Sequence, residues 1–174
     1  DGSSVQPEGP SSQLGDQRGS ALRLALVCPY DWEVPGGVRT HVAGLAQALR
    51  ERGHFVEILA AGRTTSSRLG VTLLGTTRPI RANGSVARVA LGIGTARRVG
   101  RALKKGRYDV VHLHEPLVPS LCLAALYSRR SALVGTFHMC NESSLPYRLL
   151  GPVLRWPLRR LSAQIAVSES ARTS

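Results

Sequence analysis

The spacing of apolar positions changes several times along the chain, and each change marks an element. Residues 22–29, "LRLALVCP", form an almost unbroken apolar run, the pattern of a strand buried on both faces of a parallel sheet. From Val38 the period switches: Val38, Val42, Leu45, Ala46 and Leu49 fall on one helical stripe, with Arg39, Gln47, Arg50 and Glu51 elsewhere around the axis. Gly53 then stands where a helix commonly turns left-handed and stops. Residues 55–60, "FVEILA", predict a second strand. The three elements make a β-α-β unit, whose crossover lays the helix over a parallel sheet.

The alternation continues to the end of the chain. Strands are expected at 71–75, 108–114, 132–138 and 163–168, and helices at 93–106, 119–127 and 145–161, the last interrupted by Pro152 and Pro157. The expected fold is a doubly wound, mainly parallel α/β domain, Rossmann-like, whose ligands bind beyond the carboxyl ends of the strands. Residues 1–20, "DGSSVQPEGPSSQLGDQRGS", lack aliphatic periodicity and are expected to be a disordered leader before a domain at 21–174. No stretch resembles a secretion signal, and none approaches the ~20 apolar residues of a membrane-spanning helix. No internal repeat is present.

Charge sharpens this picture. The 174-residue chain carries a formal net charge of +12; the first twenty residues hold Asp1, Glu8, Asp16 and Arg18, which leaves the rest at +14. The positive charge is almost all arginine, the only lysines being Lys104 and Lys105. Such a balance suits nucleic acid, an anionic membrane or a phosphate-bearing substrate. On the helix at 93–106, Arg97, Arg98, Arg101, Lys104 and Lys105 share one arc, opposite Ile93, Ala96, Val99 and Leu103. A solvated face normally mixes signs; this one contains no acid, which favours an anionic surface over plain solvation. Residues 145–161, with Trp156, are a second membrane candidate. The basic helix has no interleaved aromatics to stack bases, which counts against a non-catalytic nucleic-acid-binding module, the rival reading. Cys28, Cys122 and Cys140 are an odd, scattered set that reads as free thiols in a reducing compartment. There the sequons at Asn83 and Asn141 have no meaning.

Three places could carry chemistry. In "CPYDWEVPGGV" the loop is longer than a dinucleotide fingerprint, yet Gly36 and Gly37 immediately precede a helix. Free N–H groups and the helix dipole favour an anion there, and missing Cβ atoms would let a phosphate reach the backbone; the alternative is a plain turn. In "HLHE", His112 and His114 share a strand face and could hold a metal, or be an inward-facing pair at a strand end. No third ligand is evident, so no metal site is assigned. His138 ends the strand "GTFH", where ligands bind, or is a half-buried structural histidine.

Together "VCPYDWEVPGGVRTHV", "ANGSVAR", "YDVVHLHEPLVPSL", "TFH" and "IAVSESAR" resemble the N-terminal half of family 4 retaining glycosyltransferases of GT-B fold, notably the actinobacterial phosphatidylinositol alpha-mannosyltransferases. The resemblance runs from about Leu22 to Arg172. It implies two Rossmann-like domains facing a cleft, and transfer of mannose from GDP-mannose to phosphatidylinositol with retention. It places the protein in the cytoplasm, peripheral on the inner face of the plasma membrane. It further implies that Gly36 and Gly37 meet the donor diphosphate and that His138 lies near the reacting sugar. Tyr30, Glu33, Asn83, Ser85 and Arg88 would surround the acceptor, and Arg97, Arg98, Arg101, Lys104 and Lys105 would dock on anionic phospholipid. No tightly bound cofactor is implied, and the sequence does not indicate a divalent cation. The expected partners are therefore membrane, phosphatidylinositol, sugar nucleotide and a C-terminal donor domain, and no nucleic acid. A related family 4 enzyme with another donor or acceptor is the alternative. The sequence departs from the family at Glu33, where Asp is expected, at Ala82, where an aromatic is expected, and at "MCN" after His138. Nothing in the chain corresponds to the donor domain, so residues 1–174 alone are expected not to transfer mannose efficiently.

Overall fold

The computed structural model describes residues 20–63, 70–82, 85–119, 121–127, 131–138 and 157–167, with backbone alone at 81, 82, 85 and 86. In chain order the elements are β1 (Arg23–Asp31), α1 (Gly37–Glu51), β2 (Phe55–Ala61), β3 (Val71–Leu73), β4 (Thr77–Ala82), β5 (Ser85–Ala90), α2 (Ile93–Gly106), β6 (Val110–His114), α3 (Leu121–Ala125), β7 (Ala132–Phe137) and β8 (Ala163–Ala166). Six strands pair in parallel in the order β3-β2-β1-β6-β7-β8. This is the Rossmann-like sheet that the alternating pattern predicts.

Strand β1 explains its own unbroken apolar run. Leu24, Leu26 and Cys28 pack on one face with Val42 and Ala46 of α1 and with Val56 and Ile58. Ala25 and Val27 pack on the other, with Val99 and Leu103 of α2, Leu113, and Leu121 of α3. Successive side chains of a strand point to opposite faces, so a strand covered on both has no position left for a polar residue. Helix α1 ends as expected. Gly53 takes φ 86, its N–H donates to the Arg50 carbonyl at 2.9 Å, and the His54 N–H donates to the Leu49 carbonyl at 3.1 Å. This is the left-handed stop that favours glycine.

Four features differ from expectation. First, residues 77–90 form the antiparallel hairpin β4–β5, with Ala82 opposite Ser85 and Tyr30 of β1 opposite Val89. Second, β1 extends to Asp31, with a register shift between Cys28 and Asp31; its end still pairs with β2 at Ala61, while Tyr30 pairs with Val89 of the hairpin. Third, α3 is shorter than the predicted 119–127. Fourth, Ile93 is 73% exposed rather than part of the buried stripe. It opens α2 directly after Gly92, whose φ is 100, and the helix meets the core only further along, at Thr95, Val99 and Leu103. The predicted leader, most of the predicted helix at 145–161, Cys140, Asn83 and Asn141 lie outside the described residues.

Candidate active site at the carboxyl ends of the strands

The first side of the site is the start of α1. After β1 the chain turns on itself: the Glu33 N–H donates to Asp31 Oδ1 at 3.1 Å and the Trp32 N–H donates to the Ala61 carbonyl at 2.8 Å. Gly36 caps the helix in an extended conformation, with no side-chain hydrogen bond to the first turn and no acid within it. The helix thus begins with open N–H groups and an uncompensated positive dipole end, a ready anion site. A Cβ placed on Gly36 or Gly37 would meet nothing within 4 Å, so the space above both is clear. Extended backbone suits any residue. What glycine supplies here is therefore close access to the main chain.

The second side is a group of histidines. His112 and His114, on one face of β6, stack with centroids 4.6 Å apart. His112 Nε2 bonds the Thr136 hydroxyl of β7 at 2.7 Å. His114 Nδ1 lies 3.1 Å from His138 Nε2, so one ring donates and the other accepts. The His138 backbone N–H donates to Glu115 Oε1 at 2.5 Å, and Glu115 is itself buried, with φ 56. His41 of α1 completes the group, its ring 4.9 Å from that of His138 and 5.6 Å from that of His114. Burial, with lesser contributions from His41 and His138, pulls His112 down to about 4. Burial first, then His112, His138 and His41, pulls His114 to about 2. His138 is lowered by burial and then by His41. The rings of His112, His114 and His138 are therefore neutral at physiological pH, able to hold hydrogen bonds or lone pairs without charge.

The third side joins β1 to the hairpin. The carboxylate of Asp31, 4% exposed, accepts from the Thr77 hydroxyl at 2.5 Å and from Arg88 Nε at 3.3 Å. Arg88 is thus tethered through Nε, beside the Tyr30–Val89 pair that ties β5 to β1. Glu33 Oε2 accepts from the Arg63 N–H at 3.1 Å, which joins its loop to the end of β2. Of the predicted acceptor residues, Tyr30, Glu33 and Arg88 gather around the end of β1; Ser85 opens β5, and Asn83 lies outside the described residues.

Sequence reasoning missed Asp31 and His41. A carboxylate ending an otherwise apolar strand signals Asp31. His41 carries no local signal, because its partners lie 73 and 97 positions away. The thiols of Cys28 and Cys122 are buried, and burial raises Cys28 to about 11 and Cys122 well above its usual range. Both are inert as nucleophiles.

The basic stripe lies apart from these three sides. Arg97, Arg101, Lys104 and Lys105 are exposed along α2. Arg98 differs: its Nε donates to the Leu74 carbonyl at 2.7 Å, which pins the guanidinium to the segment after β3. Leu91 and Ile93, at the start of the helix, add exposed apolar surface. Among the described residues, no helix is long and apolar enough to cross a membrane.

Comparison with known proteins places this geometry. Residues 35–174 match the model for Glycosyltransferase Family 4. The chain is 42% identical to a phosphatidyl-myo-inositol mannosyltransferase of Propionibacterium freudenreichii over 158 residues, which covers 86% of this chain and 42% of that protein. It is 40% identical to the protein of the same name from Mycobacterium tuberculosis over 152 residues, 87% of this chain and 40% of the relative. The chain therefore spans about two fifths of the length of these curated relatives. Among solved structures, it is similar to an alpha-glucosyltransferase in complex with UDP and a 13-mer DNA, at TM-score 0.50 and 16% identity, covering 84% of this chain and 38% of that one. It is likewise similar to Acinetobacter baumannii MurG, at TM-score 0.50 and 15% identity, covering 86% and 43%. These last two likenesses speak to the fold alone, and the fold is that of the N-terminal half of a GT-B glycosyltransferase. With the family model covering residues 35–174 and the mannosyltransferase relatives matching across most of the chain, the protein belongs to Glycosyltransferase Family 4.

Proposed function

We propose that this chain is the acceptor-binding, membrane-docking part of an enzyme that transfers mannose from GDP-mannose to phosphatidylinositol with retention, at the inner face of the plasma membrane. The observation that carries the reading is identity of 40–42% to proteins named for that activity, across 86–87% of the chain. The site supports it with a consistent division of labour. The open backbone at Gly36 and Gly37 receives the donor diphosphate at the positive end of α1. His138, neutral and held by Glu115 and His114, offers an uncharged hydrogen-bonding group beside the reacting sugar. Arg88, steadied by Asp31, turns positive charge towards the acceptor phosphate, with Tyr30, Glu33, Asn83 and Ser85 around it. The exposed bases of α2, with Leu91 and Ile93 beside them, form the docking face. No tightly bound cofactor is needed for this chemistry, and the sugar nucleotide is held mostly by a second domain.

The test joins residues 1–174 to the C-terminal part of the Propionibacterium relative. The fusion should move radiolabelled mannose from GDP-mannose onto phosphatidylinositol in vesicles, and the chain by itself should show no appreciable turnover. Transfer only to another acceptor, or robust turnover by the unfused chain, would overturn the assignment.

A further inference from the structure

Four imidazoles crowd the carboxyl ends of β6 and β7, and the proposed transfer uses only one of them. His41 comes from the start of α1, His114 from the end of β6 and His138 from just beyond β7. One ring nitrogen from each can be chosen so that all three lie within 4.8 Å of one another. The sequence shows two histidines on one strand and no third ligand. Of those two only His114 joins the trio; the fold brings in the others, His41 from 73 positions before it and His138 from 24 positions after.

The geometry is close to that of a bound ion. Two imidazole nitrogens on a tetrahedral ion, each bonded at about 2.0–2.1 Å, stand about 3.4 Å apart. His114 Nδ1 and His138 Nε2 are already 3.1 Å apart, so a small opening, with a tautomer change that moves the shared proton to the donor ring's other nitrogen, would admit a metal. His41 must close in by somewhat more, and its side chain is exposed and free to change rotamer. The remaining constraints also favour a ligand role. His112 stacks on His114 and is locked by Thr136, which fixes the plane of the central ring. Glu115 holds the His138 main chain in place.

We propose that His41, His114 and His138 bind a divalent transition-metal ion of the zinc class. Three imidazole nitrogens select such ions over Mg²⁺ or Ca²⁺, which prefer oxygen. The exposure of His41 leaves the ion an open side, so water or an anion completes the coordination. The proposal does not rest on the transferase reading, and its test needs no activity.

Tag-free protein stripped with chelator is titrated with Co²⁺, whose visible absorption is intense when coordination is tetrahedral. We expect one ion per chain, displaced by Zn²⁺ and undisturbed by excess Mg²⁺. His41→Ala removes an exposed side chain, so it should keep the native circular dichroism and weaken Co²⁺ binding at least tenfold. His138→Ala should do the same. His54→Ala, at a histidine bonded to the Leu22 N–H and outside the cluster, should bind as wild type. Absence of a stoichiometric ion overturns the proposal. So does unchanged affinity in the folded His41→Ala protein, or equal loss in His54→Ala.

Discussion

Asp31→Ala probes the joint on which the hairpin and Arg88 depend. The carboxylate has three partners, and their settings decide what each is worth. Thr77 is buried, so truncation strands its hydroxyl, at about 1–3 kcal/mol. The Arg88 side chain is 41% exposed; water replaces much of that ion pair, which contributes no more than about 1 kcal/mol. The Glu33 N–H belongs to an exposed residue and adds only a few tenths. The expected destabilisation is about 1–4 kcal/mol. Urea unfolding at pH 7, followed by far-ultraviolet circular dichroism, should show a lower midpoint with an unchanged slope. Thr77→Val in the same chain removes the stranded hydroxyl. The double variant should therefore be more stable than the sum of the single losses predicts, by at least about 1 kcal/mol. In the fusion enzyme, Arg88 without its tether should raise the KM for phosphatidylinositol more than it lowers kcat. A loss below about 0.5 kcal/mol, or strictly additive effects, would show that the carboxylate does not organise this corner.

Gly37→Val places a branched side chain in the clear space at the start of α1; in the fusion enzyme it should weaken GDP at least tenfold by calorimetry with little change in melting temperature, and unchanged affinity would remove this glycine from the diphosphate site. Replacing Arg97, Arg101, Lys104 and Lys105 with Gln, while sparing the pinned Arg98, removes up to about 1 kcal/mol of attraction per residue. Co-sedimentation with anionic vesicles, salt-sensitive in the parent, should be mostly lost in this variant; equal sedimentation would make the stripe an ordinary solvated face.

Legibility in the sequence followed burial. The strands at 23–31, 55–61, 110–114 and 132–137 are largely buried, and β1 is covered on both faces, so their composition alone announces them. The hairpin escaped because Arg78, Pro79, Arg81 and Arg88 break up its apolar alternation. Pro79 also argues against a central strand, though not against a peripheral one. A usable signal is present: Asn-Gly at 83–84, between two six-residue strands, is the strongest short-range hairpin pattern. The glycine pair and His138 were legible because they sit at predicted element boundaries. The role of His41 arises only when segments 73 to 97 positions apart converge, which no local pattern encodes. Ile93 fits the helical stripe by angle, yet a stripe says nothing about where along its length the helix reaches the core.

The register shift at the end of β1 has an evolutionary consequence. Before it, β1 is committed to β2 and β6, and any change of phase would turn Leu24, Leu26 and Cys28 out of their core. Beyond it, the hairpin is anchored at its base by the Tyr30–Val89 register pair, by the Asp31 contacts to Thr77 and Arg88, and by Ala90 in the core. Away from that base a hairpin can be lengthened or recharged without re-phasing the sheet. Natural selection can then retarget what the hairpin meets while the parallel sheet is inherited intact. Within the family, the segment equivalent to 77–90 should therefore diverge faster than the parallel strands around it, and grafting it between relatives should carry acceptor preference with it.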